Sequence, residues 1–177
     1  IAKVDTQINL DNIRYTPNFD YDKSHYASME FPEVGGIDIF NIVGDPPKNA
    51  SQTTRSELKY LQQITTNRSK TQLDLIYTVD DDPVYLFEDI ISKHDLVFPK
   101  KFFVAMYYTC AIAIVDHLKF YYNRPRPYQL SEYYGVSINR IITKTHKTPA
   151  YPSGHTMYAA LIAEILSDKY PEHKKEF

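Results

Sequence analysis

The chain has 177 residues, 43% of them apolar and 24% charged, with a formal net charge of −2 and a single cysteine, Cys110. This length fits one domain that buries a core without staples, and the composition excludes a disordered or low-complexity chain. The slightly acidic balance argues against a nucleic-acid partner gripped by general electrostatics, and one cysteine rules out an intrachain disulfide and disfavours a thiolate zinc site.

Residues 1–48 show no sustained helical period and are punctuated by Gly35-Gly36 and Pro46-Pro47, which predicts an irregular N-terminal arm anchored by Ile37, Ile39 and Phe40. Helical character is expected from residue 49 onward. Thr54 and Glu57 have capping-box spacing ahead of a stripe at Leu58, Leu61 and Ile64. Asp82-Pro83 reads as an N-cap with proline at the first helical position, followed by Val84, Phe87, Ile90, Ile91 and His94 at helical spacing. Pro99 opens the longest predicted helix, 99–123, which must stop at Arg124-Pro125. Residues 124–152 hold four prolines and read as a long connection, with Ser137–Thr143 the one candidate for extended structure. A last helix is predicted over 153–169, with Met157, Ala160, Leu161, Ile165 and Leu166 facing inward, and Pro171-Glu172 reads as the start of another. The predicted class is all-α, a helical bundle.

The longest apolar run, Phe102–Val115, is fourteen residues interrupted by Thr109, short of the about 20 a membrane span needs, so a buried core helix and no transmembrane segment are expected. The chain opens at Ile1, which leaves a removed signal peptide, and with it the compartment, open. Asn49-Ala-Ser51 and Asn67-Arg-Ser69 match the glycosylation pattern. Asp80-Asp81-Asp82 is read as acidic residues preceding a helix N-terminus rather than as a metal site.

Charge is segregated. Residues 1–116 carry a net −6, whereas 117–155 carry a net +5 and three of the six histidines. A short positive well in an acidic chain suits a small anion better than a polyanion. Two blocks lie inside it. In Lys119-Phe-Tyr-Tyr-Asn-Arg-Pro-Arg126-Pro127, Lys119 falls in the last turn of the predicted helix and Arg126 just past its end. An ammonium and a forked guanidinium can hold phosphate oxygens together, although cations at a helix C-terminus are also favoured without a ligand. In Pro152-Ser153-Gly154-His155-Thr156 a helix begins. Its free amides form an anion site, Gly154 admits a close approach, Ser153 can cap the helix or bond an oxyanion, and His155 titrates near neutral pH. The plainer reading of this block is an N-cap serine and a first-turn histidine.

Taken together, Lys-x6-Arg-Pro followed after 24 residues by Pro-Ser-Gly-His resembles the type 2 phosphatidic-acid phosphatase superfamily, which includes bacterial class A acid phosphatases and vanadium-dependent haloperoxidases. The Tyr-Pro-Ser-Gly-His-Thr context and the Arg-x-Arg-Pro doublet are most similar to the soluble acid phosphatases, and the motifs cover roughly residues 115–165. The resemblance implies that Lys119 and Arg126 hold phosphate oxygens, that Ser153 and the Gly154 amide complete the cradle, and that His155 is the general acid. It also implies a third block, Ser-Arg-x5-His-x3-Asp, carrying the nucleophilic histidine, and this block is missing. Ser167 is followed by Asp168, and His173 lies six residues after Ser167 with no Asp behind it, so His173 is read as a solvated residue. His94 and His117 read as helix histidines, and His146 lacks the flanking Arg and Asp. The expectation is therefore a partial chain: an arm over 1–48, and a phosphatase-like domain over 49–177 cut short at its C-terminal end. The expected activity is metal-independent hydrolysis of phosphate monoesters on phosphorylated small molecules, with no cofactor, vanadate as a phosphate mimic and a nucleophile beyond Phe177. A vanadium haloperoxidase-like enzyme and a non-catalytic phosphate-binding or structural protein are the alternatives. Homo-oligomerisation is left open.

Overall fold

Each of the three longest α-helices begins at a serine whose hydroxyl takes over an amide that the helix leaves unpaired. The structure is a computed structural model that describes residues 8–16 and 36–177. The rest of the expected arm, 1–7 and 17–35, and the Cys110 side chain lie outside the described part. Every regular element among the described residues is helical. In chain order these are α1 (Ile39–Val43), α2 (Gln52–Thr66), α3 (Lys70–Asp81), α4 (Tyr85–Lys93), α5 (Lys100–Met106), α6 (Ile112–Tyr122), α7 (Pro127–Ser131) and α8 (Gly154–Lys169). A π-helical turn, Tyr107–Ala111, joins α5 to α6, so the two run as one interrupted helix.

The cap of α2 is Ser51, three residues before the expected Thr54. Ser51 Oγ accepts from the Thr54 amide, and Thr54 is buried in the first turn, its hydroxyl donating to the Lys48 carbonyl at 2.9 Å. Helix α3 has no counterpart in the sequence reading. Its signal was a capping box, Ser69 with Gln72, ahead of half-buried Leu73, Ile76 and Val79. The β-branched run through Thr78 and Val79 obscures that stripe. Because α3 ends at Asp81, the three aspartates lie at a helix C-terminus, not before an N-terminus as expected. Asp82 Oδ1 does accept from the Val84 amide, but α4 proper starts at Tyr85.

The core joins α4, α5 and α8 through Val84, Phe87, Phe103, Tyr158, Ile162 and Leu166. Each such side chain removed from water is worth about 1.5–3 kcal/mol. The most buried row of α8 is Tyr158, Ile162 and Leu166, spaced by four; of the expected inward residues Leu166 is fully buried and Leu161 and Ile165 pack against the core, whereas Ala160 is exposed. The α5–α6 helix buries Phe103, Val115 and Leu118 but exposes Phe102 (67%) and Tyr108 (65%), so it is a one-sided core helix, not a fully buried one. By length and composition alone, Lys100–Tyr134 is long and apolar enough to cross a membrane. Core helices pass the same test, and this one buries Phe103, Val115 and Leu118 within the protein.

The described parts of the arm dock onto the body. Tyr15 and Thr16 bond to Asn123, Gln129 donates to the Tyr15 carbonyl, and Asn49 Nδ2 donates to Leu10 and Ile13. Asn49 is buried by these bonds and offers no free amide for glycosylation. Phe40 packs on Tyr121 with centroids 4.6 Å apart, whereas Ile37 is 51% exposed and anchors nothing. Within the long connection, Ser137–Thr143 forms no strand. Its Asn139 pairs instead with the Thr65 hydroxyl and with Arg68. The last residues form a single 3-10 turn, Pro171–His173.

Candidate functional site

A helix end and a helix start meet at one cavity. Asn123 terminates α6 in the left-handed region (φ 44°), its amide bonded to the Lys119 carbonyl, and the chain turns there toward Arg124 and Arg126. Gly154 opens α8 against α6 and the π-turn, where a Cβ would sit 3.5 Å from Val115 Cγ1 and 3.6 Å from the Tyr107 hydroxyl. These are ordinary contacts, so the glycine allows close packing without being forced by it. The cavity is about 570 Å³, and Lys119, Arg126, Ser153, Gly154 and His155 all line it. Tyr107, Tyr108 and Tyr158 form an aromatic wall, and Asp80, Asp81 and Asp82 an acidic rim. The π-turn places two of those tyrosines, in keeping with the frequent occurrence of such turns at functional sites.

The two cations are held by neutral oxygens. Lys119 is only 6% exposed, and its Nζ donates to the Pro149 carbonyl at 2.7 Å. Arg126 donates from Nε to the Thr148 carbonyl at 2.7 Å and from Nη2 to the Thr145 carbonyl at 3.2 Å. Burial, seconded by the neighbouring Arg126 charge, pushes the Lys119 ammonium down to about 8 against a partial upward pull from Asp116. Burial likewise lowers Arg126. Arg124, the other half of the doublet, turns away to Thr54 and Glu57 and does not line this cavity.

Ser153 caps α8, its Oγ accepting from the Thr156 amide at 3.2 Å, and the hydroxyl proton stays available as a donor. His155 sits in the first turn with its Nε2 3.7 Å from Asp80 Oδ1. Asp80 was not singled out in the sequence. Its side chain is only 7% exposed, and it accepts from the Lys144 amide at 2.8 Å and from the Thr145 hydroxyl. Burial raises its pKa, but the Thr145 and Lys144 hydrogen bonds, together with the His155 charge, outweigh it and leave the carboxyl below the usual range. One carboxylate thus ties the loop that supplies Arg126's carbonyl partner to the imidazole. Hydrogen bonds to charged groups are worth about 1.5–3 kcal/mol, so Asp80→Ala is expected to lower unfolding stability by about 2–3 kcal/mol, checked by urea denaturation near pH 7. Asp81 and Asp82 pair with Lys144 and Lys100. His146 does not line the cavity, and its Nδ1 faces the Thr143 carbonyl. His117 packs near Phe40.

Two cations, a serine hydroxyl and a helix N-terminus thus face one cavity beside an imidazole. Residues 100–177 match the family model of the PAP2 superfamily. Over that span the chain is similar to the PAP2 superfamily. No curated protein and no solved structure matches the chain significantly. The all-helical architecture agrees with the PAP2 fold. The match supports a phosphatase-type activity, the hydrolysis of phosphoesters on phosphorylated small molecules.

Proposed function

We propose that this PAP2-like chain is the clamp-and-acid half of an acid phosphatase-like monoester hydrolase that works without a metal. The reading rests on one observation: a buried lysine and a half-buried arginine whose direct hydrogen-bond partners are carbonyl and hydroxyl oxygens rather than carboxylates. Asp116 and Asp80 act on the pair from nearby, but neither bonds to it directly, so the free donors are left for an anion. Lys119 and Arg126 hold the phosphoryl oxygens and supply the positive charge that a metal would otherwise bring. Ser153 donates its hydroxyl proton, and the Gly154 amide adds a donor at the start of α8. His155 protonates the leaving oxygen. The nucleophile is a histidine outside these 177 residues, carried in an Arg-x5-His-x3-Asp pattern, and vanadate takes the place of phosphate in the cradle.

The decisive experiment is to extend the reading frame beyond the Phe177 codon and trap the phosphoenzyme. An acid-labile, base-stable phosphoprotein formed with a chelator present is the expected result. A stop codon directly after Phe177, or turnover that requires added metal, would overturn the reading. Lys119 adds a pH dependence. Its ammonium is lost as pH rises through about 8, so affinity for inorganic phosphate, a dianion throughout that range, should fall by roughly tenfold per unit above pH 8. Calorimetric titration of phosphate against wild type and Lys119→Met checks this, because the variant should bind weakly with no such slope.

A further inference from the structure

Away from the phosphate cavity, the end of α4 and the C-terminal turn bring together His94, His173 and Glu176. This is the one such group of potential metal ligands found among the described residues, with donor atoms all within 4.8 Å of one another. Glu176 Oε1 lies 2.9 Å from His94 Nε2 and 3.3 Å from His173 Nδ1. Three ligands at about 2.0–2.1 Å from one tetrahedral ion are separated by about 3.3 Å, so these atoms already stand near coordination spacing. The two rings stack with centroids 3.8 Å apart, inclined by 29°.

His94 Nε2 carries the strongest indication. It is buried and makes no hydrogen bond, although Oε1 is only 2.9 Å away, because the geometry is wrong for an N–H donor. A buried nitrogen facing a carboxylate oxygen without an aligned proton is satisfied by a cation between them. The surroundings suit a metal. Lys93 Nζ holds Glu176 Oε2 at 2.8 Å, which turns Oε1 toward both rings, and His173 Nε2 lies 3.9 Å from Glu172, as ligating histidines commonly face a carboxylate.

We propose that His94, His173 and Glu176 form a binding site for a divalent transition metal of the zinc class, which clamps the C-terminal turn to the end of α4. Two neutral imidazoles and a carboxylate are borderline donors that suit Zn²⁺ better than the hard ions Ca²⁺ or Mg²⁺. None of the three residues lines the phosphate cavity, so this metal braces the fold and takes no part in hydrolysis. The site stands independently of the phosphatase reading.

The test uses the full chain, stripped by chelator and dialysed. Zn²⁺ should bind with one-to-one stoichiometry at micromolar or tighter dissociation constants, and Co²⁺ should give the strong visible absorption of a tetrahedral site. His94→Ala and His173→Ala should each weaken Zn²⁺ by at least about tenfold, with circular dichroism reporting whether they fold. His155→Ala, altered in the other cavity, should bind Zn²⁺ like wild type. The Co²⁺ spectrum of the unaltered chain tests the site even if a variant fails to fold. No saturable Zn²⁺ binding below about 100 µM, well above the affinities of built protein sites, would overturn the proposal. Binding undiminished in a folded His173→Ala chain would do the same.

Discussion

Replacing His155 by alanine in the active protein is expected to reduce turnover of an alkyl phosphate by about 10²–10⁴-fold, the usual scale for a general acid. The residue occupies the first turn of α8, lines the cavity with Lys119 and Arg126, and is steadied by Asp80 at 3.7 Å. An alkoxide leaves badly without a proton, whereas an aryl oxide leaves well. The loss should therefore be much smaller on an aryl phosphate. Steady-state kinetics on both substrates decide the role, since equal losses would remove His155 as proton donor.

Removing Arg126 should act on binding before it acts on chemistry. The guanidinium is pinned by the Thr148 and Thr145 carbonyls, so its remaining donors are aimed at low entropic cost. Arg126→Ala should weaken vanadate by about 10–150-fold, corresponding to about 1.5–3 kcal/mol for a charge-assisted bond. Arg126→Lys should recover only part of this, because an ammonium cannot span two oxygens. Arg124→Ala is the matched control, since that side chain points to Glu57 and should leave vanadate affinity unchanged. Equal affinities for wild type and Arg126→Ala would show that Arg126 does not grip the anion.

What the sequence could disclose depended on whether the relevant contact was local. Ser153 at the head of α8 and Lys119 near the end of α6 are set by their own helices, and residue type with spacing was enough to find them. Arg124 and Arg126 are chemically identical neighbours. Only the left-handed turn at Asn123 and the course of residues 145–149 decide which of them faces the cavity. Asp80 was out of reach because it meets His155 across 75 positions, and its helix was itself hidden by β-branched residues. His173 looked solvated because its partner, His94, lies at the far end of another helix. On α8 the expected Leu166, Leu161 and Ile165 do face the core, but Tyr158 and Ile162 were missed and Ala160 is exposed, because a helix rich in Ala, Leu and Ile offers several apolar rows and tertiary packing selects among them.

Lys119 exposes a trade between durability and use. An ammonium held near 8 while the unfolded chain keeps it near 10.5 means that the native state binds its proton more weakly, so folding is penalised at neutral pH. The penalty eases as pH climbs from about 8 toward 10.5, the same interval in which the anion loses its grip. The conditions that favour the empty fold are thus the ones that disfavour the loaded site. A bound phosphate reverses this by giving the buried cation a directly bonded counter-charge, so the ligand also acts as a folding partner. Neutral substitutions at Lys119 would be rewarded by any selection for thermal stability alone, and a chain improved in that way would lose the cradle that its helices assemble.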